Sequence, residues 1–140
     1  MKIKAEHVER VVAEVSQGSD DPQRVASLVG AFMREQPMIG HYVSSYSNDL
    51  GLEGVVLALL HAHVLARCVE VAAGRHLRPV QAADLDAAAR ASLGALADDE
   101  PLLDGYLENN IPENDPTLGK HRAAALRILR LVARALVEQE

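Results

Sequence analysis

Residues 52–73 read Leu52-Glu53-Gly54-Val55-Val56-Leu57-Ala58-Leu59-Leu60-His61-Ala62-His63-Val64-Leu65-Ala66-Arg67-Cys68-Val69-Glu70-Val71-Ala72-Ala73. Apolar side chains fall on nearly every face of a helix drawn through this stretch, and a helix that is hydrophobic all round is one that other elements surround. The stretch is therefore expected to be the hub of a helical core. Its longest apolar segment, Val55 to Ala66, is interrupted by His61 and His63 and is too short to span a bilayer.

Working outward, helical spacing recurs on both sides, and no run alternates in the way a half-buried strand requires. Toward the amino terminus, Val8, Val11, Val12 and Val15 form one face of a first helix, about residues 4–17, that stops near Gly18. Asp21 then reads as an N-cap with Pro22 at the first helical position, opening a helix whose inner face is Val25, Leu28, Val29, Phe32 and Met33. Pro37 ends that helix and starts a short one with Met38, Ile39, Tyr42, Val43 and Tyr46 inward, after which Asn48 or Asp49 is expected to cap the hub helix.

Beyond the hub, a connection from Gly74 to Pro79 precedes a fifth helix expected over about Gln81 to Ala97, with Leu85, Ala89, Leu93 and Leu96 on one side. A short sixth begins at Pro101. The Asp115-Pro116 pair is read as the start of a last helix reaching Glu138, whose apolar face is Leu118, Leu126, Leu129, Val132 and Leu136. The expected fold is all-α, a compact multi-helix bundle of about seven helices, two of them short, forming a single domain over residues 1–140.

The order of motifs repeats. At a shift of 64, Val29 meets Leu93, Phe32 meets Leu96, Pro37 meets Pro101, Ile39 meets Leu103, Tyr42 meets Tyr106 and Val43 meets Leu107. At a shift of 67, Leu59 meets Leu126, Val64 meets Leu131 and Arg67 meets Arg134. The expectation is an internal duplication of a three-helix unit, one copy at about 22–73 and the other at about 81–138, each copy burying the apolar face that the other cannot cover alone.

Composition narrows the function. The chain has one cysteine, Cys68, so no intrachain disulfide can form and cysteine-rich zinc modules are excluded. Its first residues, Met1-Lys2-Ile3-Lys4, lack the apolar core of a signal peptide, and the expected location is the cytoplasm. The net charge of −6 is spread over both halves, and with no Trp, one Phe and three Tyr the chain offers neither a basic arm nor a stacking platform for bases. No glycine-rich phosphate loop or nucleophile elbow occurs, and no cofactor is expected.

Six histidines raise the question of a metal. His61 and His63 are two apart on a helix, about 200° around its axis, and cannot share an ion. No His-x-x-x-His, Glu-x-x-His or His-Glu-x-x-His pattern occurs, the pairs on which bundle metal sites rest, so no metal site is expected. His63, Arg67 and Glu70 do align as a polar stripe on the hub helix, and with His41 and Tyr42 they form the candidate pocket for a small molecule. The plainer reading is that the stripe marks where the hub meets solvent, with Arg67 and Glu70 paired.

Lys120, Arg127, Arg130 and Arg134 fall within about 80° of arc on the last helix and form the candidate face for an anionic partner, or else the solvated back of an amphipathic helix. Glu100, Asp104 and Glu108 make an acidic stripe on the helix before it. Cys68 lacks a helix N-terminus or a neighbouring base and reads as core. The expected function is a non-catalytic protein–protein interaction or oligomerisation module, its partner another protein or a second copy. The alternative is a small-molecule binder or enzyme with a pocket between the two units. Nucleic-acid binding ranks last, and no membrane is expected.

Overall fold

The computed structural model describes residues 2–18, 20–91 and 95–139. These form eight α-helices and no strand: α1 (Ala5–Ser16), α2 (Pro22–Glu35), α3 (Pro37–Ser44), α4 (Ser47–Ala73), α5 (Ala82–Arg90), α6 (Ala95–Asp99), α7 (Pro101–Asn110) and α8 (Arg122–Val137), the last preceded by a 3₁₀ turn at Gly119–His121. The Asp21 carboxylate accepts a hydrogen bond from the Gln23 amide at 3.0 Å, ahead of Pro22 at the first helical position. That cap satisfies an amide the helix itself leaves without a partner.

α4 is the hub. It packs against α1, α2, α3 and α8 and buries Leu59, Leu65, Cys68 and Val69 among others. Among the described residues it is the one helix long and apolar enough to cross a membrane, and 56% of its most apolar 18-residue window is buried inside the bundle. α8 is a second hub, packed against α4, α5, α6 and α7, and its apolar face of Leu126, Leu129, Val132 and Leu136 is buried with Leu118. Truncating a fully enclosed leucine such as Leu65 or Leu129 to Ala costs about 2–5 kcal/mol.

Several boundaries differ from those the sequence suggests. The fifth helix ends at Arg90 and a separate α6 begins at Ala95, with Ala88 rather than Ala89 in the core. Leu93 lies outside the described residues. The hub helix is interrupted at Gly51, whose φ of 75° no side-chain-bearing residue adopts readily, and neither Asn48 nor Asp49 caps it. Pro116 does not open α8. The Asp115 carboxylate instead accepts from the amides of Thr117 and Leu118, at 3.0 and 2.7 Å, folding the chain into a turn that delays the helix to Arg122. Met33 is more exposed than its helical spacing implies, lying over Gly40 of α3 rather than in the core.

The two Pro junctions share one backbone geometry. Gln36 (φ −130°, ψ 66°) separates α2 from Pro37, and Glu100 (φ −136°, ψ 68°) precedes Pro101. Gln36 is also a tie. Buried itself, it accepts from the Val80 amide at 2.8 Å and donates to the Arg78 carbonyl at 3.0 Å, fixing the connection between α4 and α5 to the α2–α3 corner.

Candidate functional site

The polar stripe of α4 is largely consumed in holding the fold together. Arg67 lies 3.2 Å from the Glu70 carboxylate and 3.4 Å from that of Glu14 on α1. Glu70 in turn accepts from the Leu77 amide at 3.0 Å and lies 3.2 Å from the His76 ring. It therefore ties down the turn that leaves α4. His63 packs edge-on against Phe32 with ring centroids 5.8 Å apart, and burial, followed by the nearby Arg67 charge, holds its pKa below the usual histidine value.

His41 and Tyr42 lie elsewhere. They line an open groove of about 550 Å³ between α3, α5 and α8, whereas Arg67 and Glu70 line a depression shared by α1, α4 and the turn at Gly74–His76. The structure thus divides four of the five candidate pocket residues between two places, and His63, packed on Phe32, lines neither. Spacing along one helix put three of them in a row, but which neighbouring helix covers a row is decided by packing that the spacing does not record.

The basic stripe of α8 meets the acidic stripe of α7. Arg130 donates to Asp104 at 2.7 Å and to Glu108 at 2.5 Å, Arg134 pairs with Asp99 and, at 2.9 Å, with Glu138, and Arg122 reaches Glu108 at 3.4 Å. The Glu108 carboxyl is held below the usual range chiefly by its bond to Arg130. Arg122 also donates to the Ile111 carbonyl at 2.5 Å, closing the end of α7. Two of the four cations proposed for an anionic partner, Arg130 and Arg134, are thereby neutralised within the chain, and little charge is left to displace counterions from nucleic acid. Lys120 and Arg127 are exposed and make no ion pair among the described residues.

Sequence reasoning missed one polar pair. His61 Nδ1 and the Tyr106 hydroxyl lie 2.8 Å apart inside the α1–α4–α7 contact, with their rings edge to face at 5.7 Å. Burial depresses the His61 pKa to about 4, so the ring is neutral near pH 7, and raises that of Tyr106, which stays a phenol. The signal available was two polar side chains at core positions of their helices, each requiring a partner once buried. Cys68 is buried and its thiol is pushed up to about 12, leaving no thiolate for chemistry. Among the described residues no three of His, Cys, Asp and Glu converge as metal ligands.

The most exposed large apolar side chain among the described residues stands at the head of α4. Leu52, immediately after the Gly51 break, is 81% exposed, and Val56 one turn on is 42% exposed. With Val25, Glu53, Leu57 and Thr117 they line a shallow depression of about 380 Å³. Comparison of the chain with protein-family models, with curated proteins and with solved structures returned no match.

Proposed function

We propose that the protein is a non-catalytic interaction module that associates with a second copy of itself through the Leu52–Val56 face. The observation that carries this is Leu52: a leucine 81% exposed at the head of the hub helix, beside a second exposed apolar residue. Scattered surface leucines need no explanation, but here the side chain stands on the rim of a mainly apolar depression lined by Val25, Val56 and Leu57, with Glu53 and Thr117 beside them. A protruding side chain beside an apolar hollow is self-complementary: in a twofold pair each Leu52 seats in the hollow of its partner. The titratable stripes that would support catalysis are engaged in Arg67–Glu70 and Arg130–Asp104 pairs, which favours binding over chemistry.

The patch is small, so the dimer is weak, below the roughly 800 Å² per partner of standard stable interfaces. Each copy carries a net charge of −6, so added salt screens repulsion and strengthens association. Sedimentation velocity over a concentration series tests the reading. The wild type should shift toward dimer at high concentration and high salt, and Leu52→Glu should stay monomeric with an unchanged melting temperature. A wild type monomeric throughout, or a Leu52→Glu chain that dimerises equally, would overturn it.

The module is also read as a duplication of a three-helix unit, residues 22–73 matching residues 81–138, with α3 on α7 and α4 on α8. Tyr42 shares its groove with α5 and with Arg127 and Leu131 of α8, while Tyr106 shares its depression with α1 and with Leu60 and Val64 of α4. Residues 60 and 127, like 64 and 131, are related by the same shift of 67 that aligns the two hub helices. An experimental structure in which superposing α3–α4 on α7–α8 failed to bring Tyr42 onto Tyr106 would remove this reading.

A further inference from the structure

The groove between α3, α5 and α8 shares no residue with the Leu52 patch. Its floor and walls are apolar and aromatic: Met38 and Tyr42 from α3, Leu85 from α5, Leu131 from α8, and Tyr46 just beyond α3, with the two tyrosine rings edge to face at 5.3 Å. Such a surface takes an apolar body and offers phenolic hydroxyls to fix its orientation. At one side stands Arg127. Its neighbours Arg122, Arg130 and Arg134 on the same helix are each paired with a carboxylate, whereas Arg127 makes no ion pair among the described residues.

Arg127 also borders a second, polar basin of about 700 Å³ that includes Lys120, Arg122 and Arg130. Glu108 and Glu113 line the same basin; Arg122 and Arg130 are paired with Glu108 and Asp104, so Lys120 and Arg127 are the two basin cations without an ion pair among the described residues, beside the Glu113 carboxylate. Arg127 thus joins an apolar trough to a cationic one. Asp86 on α5 and His41 on α3 also line the trough, and Asp86 disfavours an anion placed near α5. An anionic group therefore belongs at the α8 end.

From this juxtaposition we infer that the α3–α5–α8 groove is a binding site for a small amphipathic carboxylate, its apolar body between Tyr42, Tyr46 and Leu85 and its carboxylate on the Arg127 guanidinium. A guanidinium presents paired N–H donors that match the two carboxylate oxygens, and a single exposed arginine with an apolar wall beside it distinguishes an acid from the corresponding alcohol or amine. The site depends on neither dimerisation nor the Leu52 face.

Octanoate, octanol and octylamine serve as matched probes, titrated into the ¹⁵N-labelled full chain. Octanoate should shift amides of residues 38–46, 82–89 and 127–131 and bind at least ten-fold more tightly than octanol, with octylamine weaker still. Arg127→Gln, an exposed substitution that should leave melting unchanged, should reduce octanoate binding to the level of octanol. The inference is overturned if octanoate does not bind, if octanol or octylamine matches it, if the shifts centre on residues 25 and 52–57, or if Arg127→Gln binds octanoate as the wild type does.

Discussion

The His61 imidazole and the Tyr106 hydroxyl, 45 positions apart in the chain, meet at 2.8 Å where α1 packs against both α4 and α7. Each satisfies the other in a setting where water is largely excluded, and an unsatisfied polar group there would cost about 1–3 kcal/mol. The bond therefore ties the first half of the chain to the second at a defined register, and it makes the fold sensitive to the protonation of one ring.

Burial lowers the His61 pKa from 6.5 to about 4. Between those two values the unfolded chain binds a proton at this ring that the folded chain does not. Stability from this group is fully present above about pH 6.5 and is lost as pH falls, by about 3 kcal/mol once pH 4 is reached. His63, also lowered, adds in the same direction. Urea denaturation at a series of pH values should show this slope, and His61→Gln, which can still bond the phenol but does not titrate, should flatten it. An unchanged slope in that variant would place the acid sensitivity elsewhere.

The two matched tyrosines should respond differently to loss of the hydroxyl. Tyr106→Phe leaves His61 Nδ1 without its partner and should cost about 1–3 kcal/mol, a fall in Tm of roughly 3–10 °C for a chain of this length. Tyr42 is half-exposed in an open groove. Tyr42→Phe should therefore change stability by less than about 0.5 kcal/mol. Thermal melts of the two variants at pH 7.5 check this, and equal losses would contradict the asymmetry of the two sites.

Gln36→Leu should be among the more damaging single changes outside the apolar core. It deprives the buried Val80 amide and the Arg78 carbonyl of their partners at once, at a cost of about 2–4 kcal/mol. Hydrogen exchange gives the sharper readout: the Val80 amide should lose most of its protection while amides in the middle of α8 slow or quicken only with global stability. Retained protection at Val80 would mean that another acceptor serves it.

Much of the fold was legible because helical periodicity is a local property. The face Val8, Val11, Val12 and Val15 packs inward as its spacing implies, Asp21 caps α2 with Pro22 behind it, and the mainly apolar stretch at residues 52–73 is the hub. The errors fall where a local signal has two uses. Asp-Pro begins a helix at Asp21-Pro22 but closes a turn at Asp115-Pro116, where the carboxylate finds the amides of Thr117 and Leu118 before a helix can start. Gly119 completes that turn: a Cβ there would overlap the Glu113 carbonyl, a constraint that no neighbouring residue type announces.

The candidate sites were legible as rows and not as places. His63, Arg67 and Glu70 form a stripe, and so do Arg127, Arg130 and Arg134, because three- and four-residue spacing alone puts side chains on one face of a helix. The sequence by itself determined the helical class, the central helix, most inner faces and these two stripes. Only the tertiary structure decided that Asp104 and Glu108 neutralise Arg130 while Arg127 is left to a groove, that Glu14 reaches Arg67, and that His61 finds Tyr106. The reason is physical: spacing fixes which way a side chain points from its own helix, whereas its partner depends on how whole helices orient against one another, and that is set by the summed packing of residues far apart in the chain.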